Sequence, residues 1–167
     1  MLVETGEYAM IVVDKTQATL SLVENGKTLA TFPILVGQNA GTKEREGDMR
    51  TPEGCYFVLR LLPDEEAVGA GYYKGLHISY PDMSDAARGL ASGLIDETLY
   101  QEIVQAYMEG NIPPQESALG GYVAIHAGLA EDEKFIRGTK GCVVLRNADM
   151  NEVYKFARSG MPVFICP

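Results

Sequence analysis

The sequence predicts a mostly β, α+β fold in a single domain over residues 1–167, and three observations carry that prediction. The first sixty residues alternate apolar runs with turn residues, including Asn25-Gly26, a strong two-residue hairpin signal. Leu94 to Glu109 instead carries Leu94, Ile95, Leu99, Ile103, Val104 and Tyr107 at close to helical spacing. The last part of the chain then reads as strand, strand, helix and strand.

Taken in order, Tyr8 to Val13 is an apolar run and the first predicted strand. Ala18 to Val23 alternates apolar with polar residues, and after the Asn25-Gly26 turn Leu29 to Val36 returns as its partner. Pro33 has no N–H to give to a ladder, so this partner belongs at an edge or a bulge. Gly37 to Arg50 reads as a charged, glycine-bearing loop, Thr51-Pro52-Glu53-Gly54 as a turn, and Cys55 to Leu62 as a strand. Residues 63–120 differ in texture and read as an insertion built on the helix at Leu94–Glu109. Gly110 ends that helix and Pro113-Pro114 prevents its resumption. Tyr122 to His126 and Val143 to Leu145 are predicted strands. Asn147 is expected to N-cap a helix through Arg158, with Met150, Val153, Tyr154 and Ala157 on one face and Gly160 past its end. Pro162 to Cys166 closes the chain as a strand.

Composition excludes several functions. The net charge is −9, which opposes electrostatic binding of nucleic acid. Asp64-Glu65-Glu66 and Glu131-Asp132-Glu133 read as solvated loops. No apolar run reaches transmembrane length, so no stable membrane insertion is expected. Met1-Leu2-Val3-Glu4 lacks the basic-then-apolar pattern of a signal segment, which leaves a cytosolic protein or one whose export segment lies outside this sequence. Two histidines and three scattered cysteines make no paired zinc ligand set, and no metal site is predicted. Cys55 and Cys166 read as two inert thiols or as a bridged pair, and spacing does not separate the two readings.

Cys142, in Thr139-Lys140-Gly141-Cys142, is placed for chemistry. A turn feeds it into the apolar Val143-Val144-Leu145, so the thiol can be exposed where the strand is buried. His126 ends an apolar run fifteen residues upstream and precedes a glycine-bearing stretch. A thiol attacks as thiolate, and a nearby imidazole is the usual means of forming one, with a thiol titrating below the ordinary ~8.5 as the expected signature. Backbone N–H groups at the Gly141-Cys142 turn can serve an oxyanion. His77, with Tyr72, Tyr73 and Tyr80 near it in sequence, reads either as part of a pocket wall or as ordinary packing.

These residues resemble the L,D-transpeptidase catalytic domain, or YkuD, family. His126, Thr139, Gly141, Cys142 and Asn147 match its His, Ser/Thr-x-Gly-Cys and following Asn, and Gly47-Asp48-Met49-Arg50-Thr51-Pro52-Glu53-Gly54 matches its Gly-Asp-x-x-Thr-Pro-x-Gly stretch. Lys140 stands where most members have His, and Val144 where most have Arg. Thr139-Lys140-Gly141-Cys142 and His77-Ile78-Ser79-Tyr80-Pro81 look like the YafK-like branch. The resemblance implies a YkuD-type β-sandwich with a helical insertion and a helix after the catalytic Cys. It implies cofactor-free acyl transfer on peptidoglycan stem peptides in an extracytoplasmic, periplasmic setting, with a wall-attached lipoprotein as a further partner. Cys142 is the implied nucleophile, His126 the acid–base group and Gly141 an oxyanion donor. Thr139, Lys140, His77 and Tyr80 are the expected substrate-binding residues. Arg146, two residues beyond Val144 on the same strand face, joins them as a reaching donor. The reaction expected is cleavage of an amide link at the position-three diamino acid. The alternatives are formation of 3–3 cross-links or attachment of proteins to the wall, and, in another class, a noncatalytic wall-binding module.

Overall fold

The structure, a computed structural model, describes residues 8–63, 73–129 and 138–167. The two acidic clusters and Tyr72 lie outside them. Eight strands run in chain order as β1 (Ala9–Asp14), β2 (Thr19–Glu24), β3 (Lys27–Pro33), β4 (Gly54–Leu62), β5 (Gly75–Ile78), β6 (Ala124–Leu129), β7 (Val143–Arg146) and β8 (Pro162–Cys166). Three helices, α1 (Met83–Ala91), α2 (Glu97–Glu109) and α3 (Asn147–Phe156), complete the described fold.

The sheet order is β3-β2-β1-β8-β4-β5-β6-β7. Gly54–Phe57 of β4 pair with β8, and Val58–Leu62 pair with β5 across an irregularity between Val58 and Arg60. One strand therefore belongs to both halves, which lets the sheet turn over on itself. The chain just after β3 meets the opposite end, where the Leu35 N–H donates to the Val144 carbonyl at 2.8 Å and the Val144 N–H to the Leu35 carbonyl at 2.9 Å. This is the expected β-sandwich, curled until its two ends touch. One core fills it, with Ile11, Val13, Leu20, Val58, Ile78, Ile125, Leu145 and Val163 buried from both halves.

The opening hairpin forms as its turn chemistry requires. Asn25 (φ 50) and Gly26 (φ 76) both take the left-handed conformation that a two-residue hairpin needs. Pro33 ends β3, the edge strand, where a missing N–H costs no ladder bond.

Several boundaries differ from the sequence-based expectation, three of them for a clear physical reason. The helix predicted from Leu94 begins at Glu97, because Asp96 is its N-cap and accepts from the Leu99 N–H at 2.9 Å. Leu94 and Ile95 fit the helical period but instead pack the small apolar cluster between α1 and α2. Asn147 is the first residue of α3 rather than its cap, and the cap position, Arg146, makes no side-chain capping bond. Residues 75–78, within the segment read as an insertion, form β5, paired to β4 on one side and β6 on the other. The helical part of that segment is α1 and α2, which pack on each other around Ile103 and Leu119. α1 starts with a capping box in which the Asp82 carboxylate accepts from the Ser84 and Asp85 N–H groups and Asp85 returns a bond to the Asp82 N–H.

Candidate active site

β6 and β7 lie side by side in parallel, with His126 opposite Val144 and Ile125 opposite Val143. His126 is therefore mid-strand rather than at a strand end. Cys142 immediately precedes β7, two positions back along the same face from the residue opposite His126. Both side chains are partly exposed, whereas Val143 and Leu145 are fully buried.

The imidazole is fixed from behind. His126 Nδ1 lies 2.6 Å from the Ala127 carbonyl, so Nδ1 carries the proton and Nε2 is left as the basic nitrogen. Burial pushes His126 below the ordinary imidazole range, against the opposing pull of that bond, so the ring is neutral near pH 7. Burial also pushes the Cys142 thiol up, and neither the Ala124 backbone hydrogen bond nor the Lys43 charge reverses it. The resting pair is thus neutral imidazole and neutral thiol. The expectation of a thiol titrating below the ordinary value is corrected: desolvation outweighs the nearby cation. In the resting state the Cys142 S–H donates to the Tyr122 carbonyl, at 3.6 Å.

The turn that presents the thiol is tied down from two directions. The Thr139 hydroxyl donates to the Cys142 carbonyl at 2.6 Å and accepts from the Gly141 N–H at 3.0 Å. The fully buried Thr51 hydroxyl donates to the Gly141 carbonyl at 2.8 Å and accepts from the Gly37 N–H, also at 2.8 Å. Gly141 has φ 140, and a Cβ there would lie 2.9 Å from the Arg50 carbonyl oxygen, so only glycine fits. Upstream, the Asp48 carboxylate accepts from the Glu44, Arg45 and Arg50 N–H groups and from Lys43 Nζ. Burial alone would raise its pKa, but these donors hold it below the usual carboxylate value. The Gly-Asp-x-x-Thr-Pro stretch is therefore the clamp of the turn that presents Cys142: Asp48 orders the loop and Thr51 holds Gly141.

A cleft of about 810 Å3 opens at this turn, lined by Lys43, Gln115, Tyr122, Lys140, Gly141 and Cys142 among others. Lys140 is exposed on its wall. Five sequence-based assignments differ from what the structure places there. Tyr80 is 0 % exposed and donates its hydroxyl to the Leu119 carbonyl at 2.8 Å, so it supports the cleft from within the core and touches nothing in it. The Thr139 hydroxyl is engaged by the turn rather than offered to a ligand. The Gly141 N–H is donated to that hydroxyl and is not offered to an oxyanion. Arg146 sits opposite Leu129 at the far end of β7 and is not among the cleft-lining residues. His77 is half-buried on β5 and bonds Gln115 at 3.0 Å, one layer behind the cleft wall. Sequence reasoning missed Lys43, which is only 4 % exposed, pairs with Asp48 at 3.0 Å and lines the cleft. A lysine four residues ahead of Gly47-Asp48 was the available signal.

Thr51→Val tests the clamp. It keeps the side-chain volume but leaves the Gly37 N–H and the Gly141 carbonyl without their partner. The expected cost is about 1–3 kcal/mol of stability, read as a lower midpoint in thermal unfolding, with slower turnover. An unchanged midpoint and turnover would remove Thr51 from the site's support.

A curled β fold that sets a cysteine at a turn, on the strand next to one carrying a histidine, defines the class of candidate: a domain with a cysteine–histidine site at a cleft. A family model described as the L,D-transpeptidase catalytic domain (YkuD) matches residues 8–165, and the chain belongs to that family. YafK of Escherichia coli, named as a candidate L,D-transpeptidase, is 43% identical over 91 residues, covering 50% of this chain and 35% of that protein. A Bdellovibrio bacteriovorus structure matches with TM-score 0.64 at 23% identity, covering 98% of this chain and 49% of the other. The helical cell shape determining protein Pgp2 of Campylobacter jejuni matches with TM-score 0.63 at 18% identity, covering 96% and 48%. An L,D-transpeptidase from Mycobacterium smegmatis matches with TM-score 0.56 at 14% identity, covering 97% and 60%. At these identities the structural likeness is one of fold. The chain spans about a third of the curated relative's length and half of the first two structures'. Among the described residues, no helix is long and apolar enough to cross a membrane.

Proposed function

We propose that this domain is a cysteine acyltransferase or hydrolase acting on peptidoglycan stem peptides, and that it cleaves an amide link to the position-three diamino acid in preference to forming 3–3 cross-links. The observation that carries the reading is the Cys142 thiol at the cleft, on the strand next to His126, whose Nδ1 proton faces the Ala127 carbonyl.

The chemistry follows from that proton placement. The Cys142 sulfur attacks the carbonyl on the L-centre of the diamino acid as His126 Nε2 takes the thiol proton. The Cys142 N–H steadies the developing oxyanion. Collapse breaks the C–N bond, the imidazolium gives its proton to the departing amine, and a thioester remains on Cys142. His126 then deprotonates water, whose attack releases the acid and regenerates the thiol. An amine in place of that water gives transpeptidation. Lys140, exposed on the cleft wall, offers positive charge for a carboxylate of a stem peptide, while Lys43 is held by Asp48.

Support for cleavage over cross-linking comes from position 144. Val144 is 8 % exposed and holds no donor for a substrate carboxylate or amide oxygen. The substrate class places the domain's work outside the cytoplasm. Incubation with purified wall fragments, followed by mass spectrometry, separates the outcomes. Shortened stems or released amines, with water as the acceptor, are expected. Efficient formation of 3–3 cross-linked dimers with little hydrolysis would overturn the preference for cleavage.

A further inference from the structure

Gln115 belongs to none of the motifs above, yet its side-chain amide joins four segments around the nucleophile. Its Oε1 accepts from the Tyr122 N–H at 2.7 Å and meets His77 Nε2 at 3.0 Å. Its Nε2 donates to the Tyr80 carbonyl at 3.0 Å and the Pro113 carbonyl at 2.9 Å. Both N–H donors and both acceptor positions of the amide are used, which fixes its orientation. The neighbouring backbones are equally close, since a Cβ on Gly121 would stand 2.2 Å from the Gln115 carbonyl oxygen.

Tyr122 follows that glycine and adopts φ 55, a conformation costly for a residue with a side chain. The Tyr122 N–H is held by Gln115, and the carbonyl of the same residue accepts the Cys142 S–H. Strain at such a position persists only where surrounding contacts impose it, and here the imposing contact leads one residue away from the nucleophile.

We propose that Gln115 is a positioning residue for the nucleophile: by clamping the Tyr122 N–H it holds the Tyr122 carbonyl against Cys142 and aims the resting thiol. A carbonyl oxygen beside sulfur favours S–H over S⁻, so the contact keeps the proton on sulfur until His126 takes it. It also limits the directions the sulfur can occupy, which keeps the attacking atom in place. The inference rests on the reading of Cys142 as the nucleophile.

The test is Gln115→Leu, with two readouts and a check of the fold by circular dichroism. The first is alkylation by iodoacetamide as a function of pH, read at the Cys142 peptide because Cys55 and Cys166 are exposed. The second is kcat and KM on a tetrapeptide-stem fragment. The charged and titratable groups around the thiol, namely Lys43, Glu46, Glu116, Lys140 and His126, are unchanged in this variant. The alkylation midpoint is expected to move to lower pH while kcat falls roughly 10- to 100-fold and KM stays within about twofold. A thiol that ionises more easily yet turns over more slowly is the signature of lost aim. An unchanged alkylation midpoint in the folded variant overturns the proposal, and this arm needs no substrate, so it stands whatever reaction the enzyme performs. If Gln115→Leu does not fold, Gln115→Asn serves: its amide is one methylene short of the Tyr122 N–H and should show both changes in smaller measure. Wild-type values in Gln115→Asn would overturn the proposal equally.

Discussion

Cys142→Ala is expected to reduce turnover of a tetrapeptide-stem substrate to background, a loss on the order of 10⁵-fold or more, because the proposed acyl intermediate forms on its sulfur. The fold should survive. The turn is held through Thr139, Thr51 and Gly141, whose bonds run through backbone and hydroxyl groups and not through the sulfur. Cys142 is also partly exposed, so loss of its sulfur leaves no closed cavity, and a stability change within about 1 kcal/mol is expected. Turnover by a folded Cys142→Ala protein would show that the nucleophile is elsewhere.

His126→Ala is expected to lower kcat/KM by roughly 10²–10⁴-fold, the range of a lost general base. The pH dependence gives the sharper reading. Burial holds His126 below the ordinary ~6.5, and its neutral form is the base, so wild-type activity should rise as pH increases through a value below ~6.5. Burial holds the thiol above its ordinary value, so the falling limb lies above ~8.5 and a broad plateau separates the two. Without the imidazole the thiol must ionise unaided, and the residual rate should climb into the alkaline range with no plateau near neutrality. A variant that keeps the wild-type profile would exclude His126 as the base. The same shift has a consequence for stability. The unfolded chain binds a proton at this histidine more readily than the folded one, so its contribution is present above about 6.5 and is lost as pH falls through the lower folded value.

Much of the site was legible before any coordinates. Cys142 and His126 announce themselves by residue type and by a turn-to-strand setting, and the hairpin at Asn25-Gly26 by its turn chemistry. The roles of individual residues were less legible, because they depend on bonds between positions far apart in the chain. Thr51 could be matched to a motif, but nothing local shows that its hydroxyl reaches Gly141, ninety residues away. Thr139 and Tyr80 carry hydroxyls that look available in sequence and are spent on the Cys142 and Leu119 carbonyls. β5 is four residues long, Gly75–Ile78, too short for a period to declare itself. α1 was missed for a similar reason: it is nine residues long, with Gly89 inside it weakening any helical signal. That glycine is needed because a Cβ would stand 2.8 Å from Leu119. The direction of the thiol's shift also required the structure. A cysteine near a histidine suggests an acidified thiol, but burial raises it and outweighs the Ala124 backbone hydrogen bond and the Lys43 charge.

The central claim is that acyl transfer passes through a thioester on Cys142, and acid quenching of enzyme and excess stem fragment, followed by intact-mass and peptide-level mass spectrometry, tests it most directly. The account predicts a transient mass gain equal to the acyl donor less its departing amine. That gain should map to the Cys142 peptide, be removed by hydroxylamine, and be absent in Cys142→Ala. Product formation with no adduct at any quench time, or an adduct on another residue, would contradict it.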